Sequence, residues 1–258
     1  MLTADGSPGW FDFALRHTRT RAALNALERL MLPGIITHYL ARKLWIESMV
    51  RQALARGVTQ VVALGAGFDT LAWRLQRTHP LIRFIELDHP ATQAPKRQIL
   101  GSTRNLTCLP VDLGCDSPAA ALHACPAFSA DQPTVFIAEG LLMYLGKRRV
   151  ASLLKELAAL TGPPAEILFT FMEEMPDGSI AFRDEHAAIG WWLRWRREPF
   201  KWGIARDAMR GFLNPLGLAE VRLVDHTILR AQILAPLGLD KLPLARGECL
   251  CACHSLAS

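Results

Sequence analysis

The chain is built from short, unbroken apolar runs separated by stretches in which apolar residues return every three or four positions. Runs at 61–64, 81–87, 106–111, 133–138, 166–172 and 218–224 have strand length and are bounded by Gly, Pro or acidic residues. That is the pattern of strands buried on both faces, as in a parallel sheet. Helical spacing fills the gaps: 35–56, stopped by Gly57, then 69–77, 92–100, 118–124, 148–160 and 227–237. In 148–160 the residues Val150, Leu153, Leu154, Leu157 and Leu160 share one face, and Gly162-Pro163-Pro164 ends the helix. After His89-Pro90 a loop is expected before the helix at 92–100.

Strands alternating with amphipathic helices predict an α/β fold with a doubly wound, mostly parallel Rossmann-like sheet. One domain is expected: an N-terminal helical cover over 1–57, a core over 58–175, a helical lid insertion over 176–215, and C-terminal strands and helix over 216–258. The cover begins with frayed residues and an amphipathic helix at 20–32, with Ala23, Leu24, Leu27, Leu30 and Met31 on one side and Pro33-Gly34 as its stop. The alternation breaks at 182–202, where Trp191, Trp192 and Trp195 stand among Arg194, Arg196 and Arg197. This segment reads either as an aromatic and cationic lid over a substrate or as a helix that buries tryptophan on the core.

Composition narrows the classes. With 258 residues, half of them hydrophobic, the chain is long enough for one decorated globular domain. No apolar run approaches the roughly 18 residues that would cross a bilayer, and the N-terminus lacks a basic segment followed by an apolar one. No membrane partner and a cytoplasmic location are therefore expected. The formal charge of +5 is spread along the chain without lysine blocks, so nucleic acid is not an expected partner; a small molecule or peptide is. Nothing in the sequence fixes the oligomeric state.

Six cysteines are present, of which Cys249, Cys251 and Cys253 alternate in ECLCACH. On a strand all three thiols face one side, with Leu250 and Ala252 on the other. No C-x2-C pair accompanies them, so they read as small buried residues of a last, antiparallel strand, and no metal site is expected.

Candidate chemistry gathers at 61–70, VVALGAGFDT. A buried strand runs into Gly65, Ala66 and Gly67, a turn in which backbone can approach a ligand closely. Asp88 ends the next strand, near the roughly 20-residue offset at which a carboxylate meets a ribose diol in dinucleotide folds. A solvated strand end is the plain alternative for Glu86 and Asp88. Glu139 follows the apolar run at 133–138, where a carboxylate is costly without a partner.

These residues resemble a known family. ALGAGFDT (63–70), WRL (73–75), ELDHP (86–90) with Lys96 and Arg97, Asp112-Leu113, IAEGLLMYL (137–145) and, more loosely, the C-terminal ECLCAC are together similar to the leucine carboxyl methyltransferase family of class I S-adenosylmethionine enzymes. The resemblance implies S-adenosylmethionine as cofactor. It assigns Gly65, Ala66 and Gly67 to the cofactor loop, Asp88 to the ribose and Asp112 with Leu113 to the adenine. It assigns Glu139 to the methionine part of the cofactor and Arg42, on the helical cover, to its carboxylate. The family's further upstream lysine has no counterpart before Lys43, leaving that contact absent or taken by Arg19 or Arg21. Tyr144, offered as the candidate catalytic residue, either lines the methyl-transfer cavity or packs in the core.

Methyl transfer to a carboxylate needs alignment and a water-poor pocket more than a base, because the acceptor is already ionised at neutral pH. A carboxylate on a small molecule or peptide is the expected acceptor. Three other readings remain: an NAD(P) oxidoreductase, a nucleic-acid methyltransferase and a binding module without activity. Against the first, Thr70 replaces the third glycine of the dinucleotide fingerprint. Against the second, Glu139-Gly140-Leu141-Leu142 stands where an Asn/Asp-Pro-Pro-aromatic loop is required.

Overall fold

The structure, a computed structural model, describes residues 28, 30–101, 103–162, 165–186 and 199–256. Its centre is a sheet of seven strands: β1 (Gln60–Leu64), β2 (Arg83–Asp88), β3 (Leu106–Pro110), β4 (Thr134–Ala138), β5 (Glu166–Met172), β6 (Leu218–Val224) and β7 (Glu248–Ser255). Their order across the sheet is β3-β2-β1-β4-β5-β7-β6. All neighbouring pairs from β3 to β5 are parallel, whereas β7 runs antiparallel to both β5 and β6. The mostly parallel sheet with an antiparallel last strand is thus the expected one.

The helices are α1 (Ile35–Ala55), α2 (Leu71–Thr78), α3 (Pro90–Leu100), α4 (Pro118–His123), α5 (Lys147–Ala158), α6 (Met209–Leu213) and α7 (His226–Leu229). Because successive side chains of a strand point to opposite faces, each apolar run feeds two cores at once. Val62, Ile85, Phe136 and Ile167 pack under α4, α5 and α6, against Leu122, Val150, Leu154 and Met209. Their neighbours Val61, Phe84, Val135 and Leu168 pack under α1, α2 and α7, against Trp45, Ile46, Leu75 and Leu229.

The cysteine strand obeys the same rule. Cys249, Cys251 and Cys253 lie in the first core, and Leu250 and Ala252 in the second. Burial pushes the Cys249 thiol up to about 12, with nearby Glu173 adding to the effect. Since the thiolate is the reactive form, these cysteines should resist alkylation in the folded protein, whereas exposed Cys115 reacts first. Peptide mapping after a short iodoacetamide pulse checks this, and early labelling of β7 would contradict the burial.

Two expectations are corrected. Helix α3 starts at Pro90, not Thr92, because proline needs no N–H partner at the first helical position and His89 Nδ1 accepts from Ala91 N (3.2 Å). The helix expected at 227–237 is broken into α7, a wide π turn at Arg230–Leu234 and a 3₁₀ turn at Ala235–Leu237. Pro236 has no N–H with which to continue the ladder. At the end of the tryptophan-rich insertion, where the sequence left a lid and a core-packing segment both open, Trp202 is 2% exposed and packs on Phe171 and Phe212. The frayed terminus, most of the helix at 20–32, and Trp191, Trp192, Trp195, Arg194, Arg196 and Arg197 lie outside the described residues.

The turn before α1 is set by its neighbours. Gly34 has φ 81°, and a Cβ there would fall 2.4 Å from Leu244 N, so only glycine admits the segment that leads into β7. Ala245 N donates to Gly34 O at 3.1 Å and ties the head of α1 to that segment.

Candidate functional site

In a parallel sheet all strands deliver their last residues to one edge, and β1 and β4 are adjacent at its centre. A cavity of about 250 Å³ opens there, walled by Gly65 and Ala66 after β1, Glu139 and Gly140 after β4, Arg42 and Lys43 from α1, Asp69, and Glu86 from β2.

Two glycines shape the loop after β1. Gly65 and Gly67 have φ 64° and 49°, angles that side chains disfavour. A Cβ on Gly65 would lie 3.0 Å from Leu141 Cδ1, whereas one on Gly67 would meet nothing within 4 Å. Gly67 N donates to Asp88 Oδ2 (2.5 Å), and His89 N to Asp88 Oδ1 (2.7 Å). The end of β2 therefore clamps the loop after β1. Asp69 Oδ1 accepts from Thr70 N (2.6 Å) and Leu71 N (3.2 Å), satisfying free N–H groups at the head of α2.

Charge in the cavity is interleaved. Arg42 Nε donates to Glu139 Oε1 (2.8 Å), and its Nη1 donates to both oxygens of Glu248 (2.8 and 2.7 Å). Its guanidinium also lies 4.6 Å above the Tyr39 ring. Lys43 Nζ stands 3.0 Å from Asp69 Oδ2 and 3.0 Å from Glu139 Oε2. Burial would lower the Arg42 pKa, but Glu248 and Glu139 outweigh it and raise it. For Glu248, burial pushes the carboxyl up, yet Arg42 and the His38 ring N–H overcome this and hold it at about 2. His38 Nε2 lies 2.7 Å from Glu248 Oε2, which makes Nε2 the protonated nitrogen of that ring.

Glu86 is 1% exposed and forms an ion pair with Lys96 Nζ at 2.7 Å, so it is no solvated strand end. Burial raises its pKa, and the lysine offsets only part of that rise.

Of the residues singled out by sequence, Arg42, Gly65, Ala66 and Glu139 share the cavity wall, and Asp88 reaches the same loop through Gly67. Arg42 is engaged by Glu248 and Glu139, with Nη2 toward Gly140. Asp112 and Leu113 are not on that wall. They follow β3, whose Pro110 lies opposite Asp88, so they stand two strands away along the same edge. Asp112 Oδ1 accepts from Gly114 N (2.9 Å), a bond that lowers its pKa, and the Leu113 side chain is buried in the core rather than beside a ligand face. Tyr144 lies on the turn Leu142–Tyr144 in an apolar cluster, its ring 5.7 Å from that of Phe200.

Sequence reading missed Lys43, Asp69 and Glu248. Lys43 carried no signal beyond adjacency to Arg42, and Asp69 stood inside the ALGAGFDT motif without being given a role. Glu248 did: an acid heading an apolar strand is costly unless paired, the reasoning already applied to Glu139.

The comparisons with known proteins agree with this architecture. A crystal structure from Thermobifida fusca YX, provisionally titled a methyltransferase, superimposes with TM-score 0.65 at 16% identity, covering 93% of this chain and 90% of that one. Magnesium protoporphyrin IX methyltransferase from Synechocystis PCC 6803, solved with bound SAH, gives TM-score 0.51 at 11% identity over 84% and 85% of the two chains. These likenesses concern the fold.

Among sequences, a Frankia alni protein provisionally named an S-adenosyl-L-methionine-dependent methyltransferase is 38% identical over 202 residues, 68% of this chain and 66% of that protein. A similarly named protein of Mycolicibacterium gilvum is 35% identical over 153 residues, 57% of this chain and 60% of its own length. The matched part spans less than two thirds of these relatives. The model of the leucine carboxyl methyltransferase family matches residues 2–158, which include α1, the glycine loop, Asp88, Asp112 and Glu139. That match covers more than half of the chain, and the chain belongs to the leucine carboxyl methyltransferase family.

Proposed function

We propose that this protein is an S-adenosylmethionine-dependent O-methyltransferase that esterifies a carboxylate on a small molecule or peptide. The observation that carries the reading is the interleaving of Arg42 and Lys43 with Glu139 and Asp69 beside the glycine loop. An amino-acid end group brings one anion and one cation within a few ångströms, and this wall offers complementary charges at that spacing. Asp88 adds a carboxylate at the neighbouring strand end whose oxygens, each accepting one backbone N–H, retain lone pairs for a diol.

The donor set fits the cofactor that the family name implies. When bound, S-adenosylmethionine supplies an electrophilic methyl group on a sulfonium. The protein's part is to bind, orient and exclude water. Arg42 and Lys43 would face the ligand carboxylate, Glu139 and Asp69 its ammonium, and the tight turn at Gly65 would let backbone approach it closely. An acceptor carboxylate is ionised at neutral pH and requires no base. That suits a wall whose ionisable groups are held in pairs, Arg42 with Glu139, Lys43 with Asp69, and Glu86 with Lys96.

Calorimetric titration with S-adenosylmethionine and with NAD tests the cofactor. Binding of the former alone is expected, and its absence at millimolar ligand would refute the reading. Incubation with methyl-labelled S-adenosylmethionine and a fractionated cell extract then tests the acceptor. A methyl ester loses its label in mild base, and a base-stable product would exclude carboxylate methylation. Asp88→Ala is expected to weaken S-adenosylmethionine binding by about 1–3 kcal/mol, the range for losing hydrogen bonds to a charged group. Unchanged affinity in the same titration would remove the ribose role.

A further inference from the structure

Among the described residues of the cavity wall, Lys43 is a cation whose placement no sequence motif foretold. Its ammonium sits 3.0 Å from one carboxylate oxygen of Asp69 and 3.0 Å from one of Glu139, so it bridges the head of α2 and the end of β4 across the cavity. Both acids belong to the wall. Neither depends on the lysine to remain in place. Asp69 is fixed by two N–H groups at the head of α2, and Glu139 by Arg42 Nε at 2.8 Å. The lysine side chain is 41% exposed, against 11% for Arg42. Arg42 is anchored on Glu248 by two hydrogen bonds, whereas Lys43 has four rotatable bonds and one end near solvent.

We propose that the Lys43 ammonium is a built-in placeholder for a ligand ammonium. It fills the gap between Asp69 and Glu139 in the free protein, and the amine of the incoming ligand displaces it, releasing the lysine to pair with the ligand's carboxylate. The exchange conserves charge: one ammonium replaces another between the same two acids, and the freed cation meets the anion that arrived with it. Ligands that carry both groups are therefore favoured over ligands that carry the amine alone. An amine-only ligand must evict Lys43 and offers it no new partner. The proposal rests on the reading of the cavity as the S-adenosylmethionine site and adds to it a residue that sets selectivity for the zwitterion.

The test is calorimetric titration of the wild type and Lys43→Met with S-adenosylmethionine and with its decarboxylated analogue, which keeps the amine. The Lys43 side chain is 41% exposed and neither acid depends on it for its placement, so the melting temperature of the variant should stay near that of the wild type. Removing the placeholder should tighten binding of the decarboxylated analogue about two- to fivefold, the equivalent of one partly exposed ion pair. Binding of S-adenosylmethionine itself should not tighten, because the carboxylate loses a partner. An equal loss for both ligands, or no change for the analogue, would overturn the exchange while leaving the cofactor assignment standing. A wild-type protein that binds neither ligand would overturn the cofactor assignment and this proposal with it.

Discussion

Replacing Arg42 with methionine is expected to lower the stability of the fold by about 3–5 kcal/mol, the usual result of leaving one member of a buried ion pair without the other. Glu248 is 1% exposed and accepts two hydrogen bonds from Arg42 Nη1 and one from His38, so the variant strands a carboxylate in the core. Urea denaturation at pH 7 measures the loss. The double variant Arg42→Met/Glu248→Gln should regain a large part of it, since an amide carries no charge and still offers His38 an acceptor. A double variant no more stable than Arg42→Met would refute this account. It also separates the two duties of Arg42: stability recovers, while affinity for S-adenosylmethionine does not.

The pH dependence follows from the sign of the Glu248 shift. Its folded value of about 2 lies below the ordinary 4.5, so it contributes stability that is fully present above 4.5 and lost as pH falls toward 2. A depression of that size corresponds to a contribution on the order of 3 kcal/mol at neutral pH. Without Arg42, burial dominates and the carboxyl titrates upward. The difference between wild type and Arg42→Met should therefore narrow as the pH is lowered.

The second large effect lies in β2. Lys96→Met is expected to cost about 3–5 kcal/mol at pH 8, because Glu86 is then left buried and unpaired between the cavity and α3. Here the sign is opposite. Burial already raises the Glu86 pKa in the wild type, so the folded state holds this proton more tightly than the unfolded chain does. Its contribution is fully present below the unfolded value and is lost as pH rises through the folded one. Removing Lys96 pushes the carboxyl higher still. The variant should be markedly closer to the wild type at pH 5 than at pH 8 in paired denaturation curves. Equal deficits at both pH values would show that Lys96 acts through packing alone. Two acids near one cavity thus respond oppositely to pH, because one gains more from its partners than burial costs it and the other gains less.

How much of this was legible beforehand depends on the range of the interaction that decides it. Strands β5 and β6 begin and end where the apolar runs do, since a run of buried side chains is a local property of sequence. Gly65 announced its turn because a positive φ is a local demand, met by the residue itself. The thiols of β7 announced their common face because side-chain alternation along a strand is local too. Glu139 could be suspected from the cost of an acid after an apolar strand, but its partners could not be named. The start of α3 was missed because Pro90 serves equally to open a helix or to avoid one, and a side-chain acceptor on His89 decided between them.

The sequence alone determined that an α/β sheet forms, that a glycine loop closes β1, and that acids stand at the ends of β2, β3 and β4. The tertiary structure decided which of these charges meet. Glu248 lies 206 residues from Arg42, yet the antiparallel course of β7 starts that strand at the edge where the parallel strands stop, opposite Met172. That reversal puts the first residue of the last strand beside the last residues of the others and so completes the ion network. The strand order, in turn, leaves Asp112 after β3, two strands from β1, instead of on the cavity wall. Burial and pairing are properties of the three-dimensional surroundings, and the free energies they set follow distance in space rather than distance along the chain.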